Sequence, residues 1–137
     1  MFSHCLPIDK DARIYIKHSR YNEYVYFGIE SFSGKIREGK LYGGIYIVKG
    51  VKKKAEEIKK EHDIKHTEET LEGVEKTNND WWPIQKCIYN KSLKDTSTLI
   101  NLHTNENEKK QAINAITETM IAFITQYKDN VFKANEK

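Results

Sequence analysis

Cysteine, proline and tryptophan are scarce in this sequence, two of each among 137 residues, and no long apolar run breaks its polar character. Cys5 and Cys87 form neither a disulfide framework nor a CxxC pair, so they read as reduced thiols, one near the terminus and one on a strand. Without a run of about 18 apolar residues there is no helical membrane span. The opening MFSHCLPIDKD has no basic stretch followed by an apolar one, so it is no secretory signal, and cytoplasm is the expected location. A large excess of one charge is missing too: 23 Lys and Arg against 20 Asp and Glu leave +3. That is well short of the basic footprint of a dedicated nucleic-acid binder. Nor is there a Gly-rich phosphate loop, a GxSxG elbow or a Cys–His nucleophile pair, and no cofactor is implied.

What is present fits a single domain over 1–137, its 38% hydrophobic residues and 8 Tyr being too rich for a disordered chain. Residues 1–11 read as an irregular lead-in, with Pro7 and the Asp9/Asp11 pair marking a turn. Alternation then predicts three strands: Ala12–His18, Asn22–Glu30 and Leu41–Val48. Their short connections, with turn signals across Ser31–Lys40, suggest an antiparallel meander. One face is aliphatic (Ile14, Ile16, Val25, Phe27, Ile29, Ile45, Ile47) and should lie on a helix layer. The other displays Tyr15, Tyr24, Tyr26, Tyr42 and Tyr46 with Arg13 and Lys17. Either a second layer covers these tyrosines or they form a partner surface.

After Gly50 a middle helix follows, with Val51, Ala55, Ile58 and His62 in one stripe and Lys/Glu pairs at i,i+4 outside. Its first turn carries Lys52, Lys53 and Lys54, where the helix dipole disfavours cations. From Lys65 to Asp80 the chain reads as a polar loop with a short strand around Thr70–Val74. Trp81-Trp82-Pro83 closes it, and Ile84–Asn90 reads as another strand. Adjacent tryptophans on an extended chain point opposite ways, so one closes the core and the other caps a groove or edge. The last element is a long helix. Asn105 is its N-cap with Glu108 in capping-box position, and Ile113, Ile116, Met120, Phe123, Ile124, Tyr127 and Val131 form its apolar stripe. A frayed tail, 133–137, follows. The fold class is therefore α+β: a meander of about three to five strands on a long C-terminal helix and a shorter middle one.

The candidate chemistry is thin. His62 and His66 stand at i,i+4, but Asp63 rather than Glu follows the first, the surrounding composition frays the helix, and no third ligand is evident; no metal is expected. Glu38-Gly39-Lys40, with Asp9 or Asp11 upstream, has the acid-x-Lys form of a Mg²⁺-dependent nuclease. In a chain so rich in Lys and Glu, such triplets also arise by chance, as at Glu57/Lys59 and Asp63/Lys65.

The run Tyr24-Val25-Tyr26-Phe27-Gly28-Ile29, then Leu41-Tyr42-Gly43-Gly44-Ile45-Tyr46, then Asp80-Trp81-Trp82-Pro83-Ile84 and a long helix resembles a known region over residues 12–132. It is similar to the part following the catalytic core in PD-(D/E)XK nuclease superfamily proteins of bacteria and phages. In that family the catalytic residues lie upstream. Because Met1 stands just before the match, the resemblance implies a relative without the core and no catalytic residue here. The expected function is then a non-catalytic protein-binding or accessory domain of a defence or restriction-type system. Its partner surface is Tyr15, Tyr24, Tyr26, Tyr42, Tyr46, Trp81 and Trp82. The alternative is a nucleic-acid-binding module using Arg13, Lys17, Lys49, Lys52, Lys53 and Lys54, or a remnant Mg-dependent nuclease. A protein partner leads, nucleic acid follows, no membrane is involved, and the tyrosine face equally suits a homodimer.

Overall fold

A computed structural model describes residues 2–5, 13–18, 24–31, 39–68 and 73–136. Six strands form one antiparallel sheet: β1 (Phe2–Cys5), β2 (Arg13–His18), β3 (Val25–Ser31), β4 (Leu41–Ile47), β5 (Val74–Lys76) and β6 (Ile84–Tyr89). Three helices join them: α1 (Lys52–Glu68), α2 (Thr96–Thr104) and α3 (Glu106–Asn135). The class is α+β, with the expected meander and long last helix. The sheet runs β1-β2-β3-β4-β6-β5, so β6 pairs beside β4 and leaves short β5 at the edge. β1 lies inside the stretch read as an irregular lead-in, where its four residues pair with β2.

The period-2 alternation sorts side chains as expected. Val25, Phe27, Ile45, Ile47 and Ile84 form the core with Ala55 and Ile58 of α1 and Met120, Phe123, Tyr127 and Val131 of α3. Phe27 meets Phe123 edge-on, at 5.9 Å and 80°, a favoured aromatic geometry. His62 closes the α1 stripe: it is buried, stacks at 22° on Tyr127, and its Nδ1 lies 2.5 Å from the Tyr127 hydroxyl. The expected fraying near His62 does not occur, and α1 runs on to Glu68. Inward hydrogen bonding of His62 and the Asp63–Lys76 ion pair at 2.9 Å outweigh the polar local composition.

The far end of α3 also differs from expectation. Instead of fraying from 133, the helix continues to Asn135, with Ala134 and Asn135 buried. The Asn135 carboxamide explains it. Its Oδ1 accepts from the Val25 N–H at 2.9 Å and the Tyr24 N–H at 3.3 Å. Its Nδ2 donates to the carbonyls of Val25 and Val131, both at 2.9 Å. Val25 lies beyond the last β2–β3 pair, Ile16 with Phe27, and the side chain stands in for the missing strand neighbour. Nearby, Lys54 from the first turn of α1 donates to the Ala134 carbonyl. A cation misplaced on its own helix thus serves the C-terminal end of another, where the dipole favours it.

At the other end of α3, Asn105 Oδ1 accepts from the N–H groups of Asn107 and Glu108 at 3.1 and 3.2 Å. Only half of the capping box forms. The Asn105 N–H donates to the Asn101 carbonyl at 2.9 Å, ending α2, while Glu108 pairs with Lys91 at 3.7 Å. One residue thus closes α2 and opens α3.

Asp95 stands at the N-cap position of α2, where its carboxylate accepts from the hydroxyls of Ser97 and Thr98, both at 2.9 Å. Those bonds, Ser97 first, hold its carboxyl below the ordinary carboxylate value. A carboxyl depressed on folding stabilises above its unfolded value, near 3.9, and the contribution is lost as pH falls through the folded value. Protection of the Leu99 amide, which donates to the Asp95 carbonyl, should therefore fall, relative to its intrinsic exchange rate, below about pH 4. An Asp95→Asn chain, capped without a titrating group, should lack this acid-dependent component. Identical pH profiles for the two chains would refute the assignment.

Candidate functional site

The face of the sheet away from the helices is built around two facing glycines. Gly28 and Gly44 are cross-strand partners on β3 and β4, and the Trp82 indole lies on them. A Cβ at Gly44 would come within 2.8 Å of Trp82 Cζ2, and one at Gly28 within 3.1 Å of Cζ3. Trp82 is only 3% exposed. Around it the tyrosines gather. Tyr15 of β2 and Tyr46 of β4 stack at 4.6 Å and 21°, Tyr15 reaching across a strand that has glycine at its paired position. The Tyr46 ring is 6.4 Å from Trp82 and 6.1 Å from Trp81.

Trp81 is the solvent-exposed ring of the two, at 48%. Its backbone is fixed by a closed set of bonds. The Trp81 N–H donates to Asn79 Oδ1 at 2.8 Å, the Asn79 N–H to Thr77 Oγ1 at 3.0 Å, and Thr77 Oγ1 to the Trp82 carbonyl at 2.6 Å. The Trp81 carbonyl accepts from the Ile47 N–H at 2.9 Å, tying the loop to the end of β4. Below the indole lies Gly50, at φ 55°, where a Cβ would run into the ring. Trp81 is thus a ring presented on a rigid loop, which reduces the ordering cost of binding.

Across the end of β4, Tyr24 is 40% exposed and its carbonyl accepts from the Val48 N–H at 2.8 Å. Lys54 Nζ sits 5.3 Å from its ring centroid, within cation–π range. The sheet therefore splits the expected partner surface. Tyr15, Tyr46 and Trp81 form one array, Tyr24 flanks it, Tyr26 and Trp82 are buried, and Tyr42 is half-buried toward the bulged end of β4. Of the two tryptophans, Trp82 is the buried one, but it closes the face opposite the helix-covered core.

The described lysines differ in what they touch. Lys54 is engaged by Ala134 and Tyr24, Lys52 and Lys53 are exposed on the first turn of α1, and Lys49 is exposed at φ 65°. Arg13 and Lys17 are on β2 by backbone, on the register positions of Glu30 and Ser3; their side chains lie outside the described residues, as do Asp9, Asp11, Glu38 and the side chain of His66. Among the described residues no three His, Cys, Asp or Glu gather as metal ligands, and no helix is long and apolar enough to cross a membrane. The residues that sequence reasoning missed are the supports. Thr77 and Asn79 were read only as loop composition, and Gly28 and Gly44 only as pattern.

A ring-lined face on an antiparallel α+β sheet defines a class of surface rather than a lineage; the lineage comes from sequence. The family model described as glycosyl hydrolase family 79, N-terminal domain, matches residues 53–137. On that match, which covers well over half of the sequence, the chain belongs to this family. No curated protein and no solved structure matches it. The family match overturns the resemblance to the PD-(D/E)XK nuclease superfamily. With it go the accessory role in a defence or restriction-type system and the nuclease-remnant alternative. The matched segment holds α1, β5, Trp81, Trp82, β6, α2 and α3, whereas two of the runs that carried that resemblance, on β3 and β4, lie outside it.

Proposed function

We propose that this chain has a glycosidase-related function and contributes carbohydrate recognition, with Trp81 as the stacking surface for a sugar ring. The observation that carries this reading is the geometry of Trp81: a half-exposed indole on a hydrogen-bonded loop, in line with Tyr46 and Tyr15. The C–H bonds on one face of a pyranose pack against such a ring, and neighbouring hydroxyls accept bonds from flanking polar groups. Glycoside cleavage needs two carboxyl groups facing each other across the sugar. Among the described residues Trp81 and Tyr46, with Tyr15 stacked on the latter, present rings, and recognition is the role assigned to this face.

Intrinsic fluorescence tests it, because Trp82 is buried and Trp81 is the ring that a ligand can reach. Titration with a panel of soluble oligosaccharides should quench or shift the emission for at least one of them. Trp81→Ala should weaken binding of that sugar roughly tenfold or more, as for a central aromatic contact. The unfolding midpoint should move little, since the ring is half in solvent. A panel without any binder, or a binder indifferent to Trp81→Ala, would remove the assignment.

A further inference from the structure

We infer that α3 carries a self-complementary surface through which two copies of this chain pair antiparallel. At 3.6 residues per turn, Glu106, Lys110, Ile113, Thr117, Ile121, Ile124 and Lys128 fall on one stripe of the helix. Two of its apolar members stand out in solvent, Ile113 being 54% and Ile121 59% exposed, while Ile124 packs in part against the core. The helices also leave part of the sheet uncovered. A groove of about 550 Å³ runs between Ile16 and Ile29 of the sheet and Ile116, Met120 and Ile124 of α3. A second, of about 390 Å³, continues past Ile116 to Ile113 and Leu99, itself 47% exposed. An exposed ridge beside a groove on the same helix is the form that packs against its own copy, ridge into groove.

Charge sets the direction. Among the described residues, neither Glu106 nor Lys128 takes part in an ion pair. A two-fold axis at Thr117 places Ile113 opposite Ile121 of the second copy, Glu106 opposite its Lys128, and the small Thr117 opposite itself. The contact spans about 33 Å of helix. A parallel pair would instead set Glu106 against Glu106 and Lys128 against Lys128. One narrow helix face is below the area of a standard obligate interface, so the pair should be concentration-dependent. The tyrosine face, the expected homodimer surface, is not used in this arrangement.

Sedimentation velocity over a concentration series on the full chain tests the inference. The wild type should pass from monomer to dimer, and Ile121→Glu should remain monomeric with an unchanged circular dichroism spectrum, since that side chain is exposed. Glu106→Lys and Lys128→Glu should each weaken dimerisation roughly tenfold, two symmetry-related pairs being lost together. The combined reversal, Glu106→Lys with Lys128→Glu, should restore it. A chain monomeric throughout would overturn the inference. So would a dimer indifferent to Ile121→Glu, failure of the double reversal, or a monomer that captures a different protein through this face.

Discussion

Gly44→Ala is expected to lose about 3 kcal/mol or more, a large part of the stability of a protein this size. The added carbon would collide with the Ile84 carbonyl oxygen and reach within 2.8 Å of the Trp82 ring. Neither obstacle can yield cheaply. The carbonyl belongs to the neighbouring strand, and Trp82 is almost fully buried between that surface and its neighbours. Gly28→Ala is the control on the paired strand. There the nearest atoms stand at 3.1 to 3.3 Å, so a shift of a few tenths of an ångström suffices and the loss should be nearer 1 kcal/mol. Urea unfolding of the two variants, followed by tryptophan fluorescence, checks the ranking. Equal losses at the two positions would show that the indole does not rest on Gly44.

Asn135→Ala should cost about 3 kcal/mol by a different route. Both amide protons and the oxygen of this side chain are used in four bonds, three of them to the backbone of Tyr24 and Val25. Truncation leaves the buried N–H and C=O of Val25 without these partners, and an unsatisfied buried group costs about 1–3 kcal/mol. Asn135→Asp tests the same point without removing volume. It keeps the acceptor but loses the donor and buries a charge, so it should be no milder. Hydrogen exchange distinguishes this latch from generic helix loss: the Val25 amide should lose protection in Asn135→Ala before amides in the middle of α3 do. Retained protection at Val25 would count against the latch.

These two residues also show what could and could not be read from the chain. The alternation of Val25, Phe27, Ile29 and of Leu41, Ile45, Ile47 is a local property, so the strands and their helix-facing side were legible. So was the stripe of α3 from Ile116 to Val131, with Asn105 at its start. Asn135 was not. A polar Ala-Asn-Glu ending has nothing local to hold it in a helix, and its partners lie 110 residues earlier. The same holds for the pairing of β6 beside β4, which no spacing encodes. α2 was missed because Thr96-Ser97-Thr98 and Asn101 are weak helix formers; Asp95, Asn105 and the packing of α3 sustain it.

At the candidate site, opposite roles for the two tryptophans followed from their adjacency. Which ring is buried depends on the glycine pair on the next two strands, β4 and β3. The mistaken family resemblance has a related origin. Glycines facing each other under aromatic rings are what any sheet needs if an indole is to lie flat on it, so they report a packing solution more than a descent.

The bond between Asn135 and Val25 has a consequence for how the protein is made. Val25 leaves the ribosome early, yet the carboxamide that completes its strand follows 110 residues later. At bacterial or eukaryotic elongation rates that delay is on the order of ten seconds. Throughout it, the nascent chain carries β3 with part of its edge open to any other strand. Slow elongation through the charged middle of the message would lengthen that exposure and should raise the yield of aggregated product.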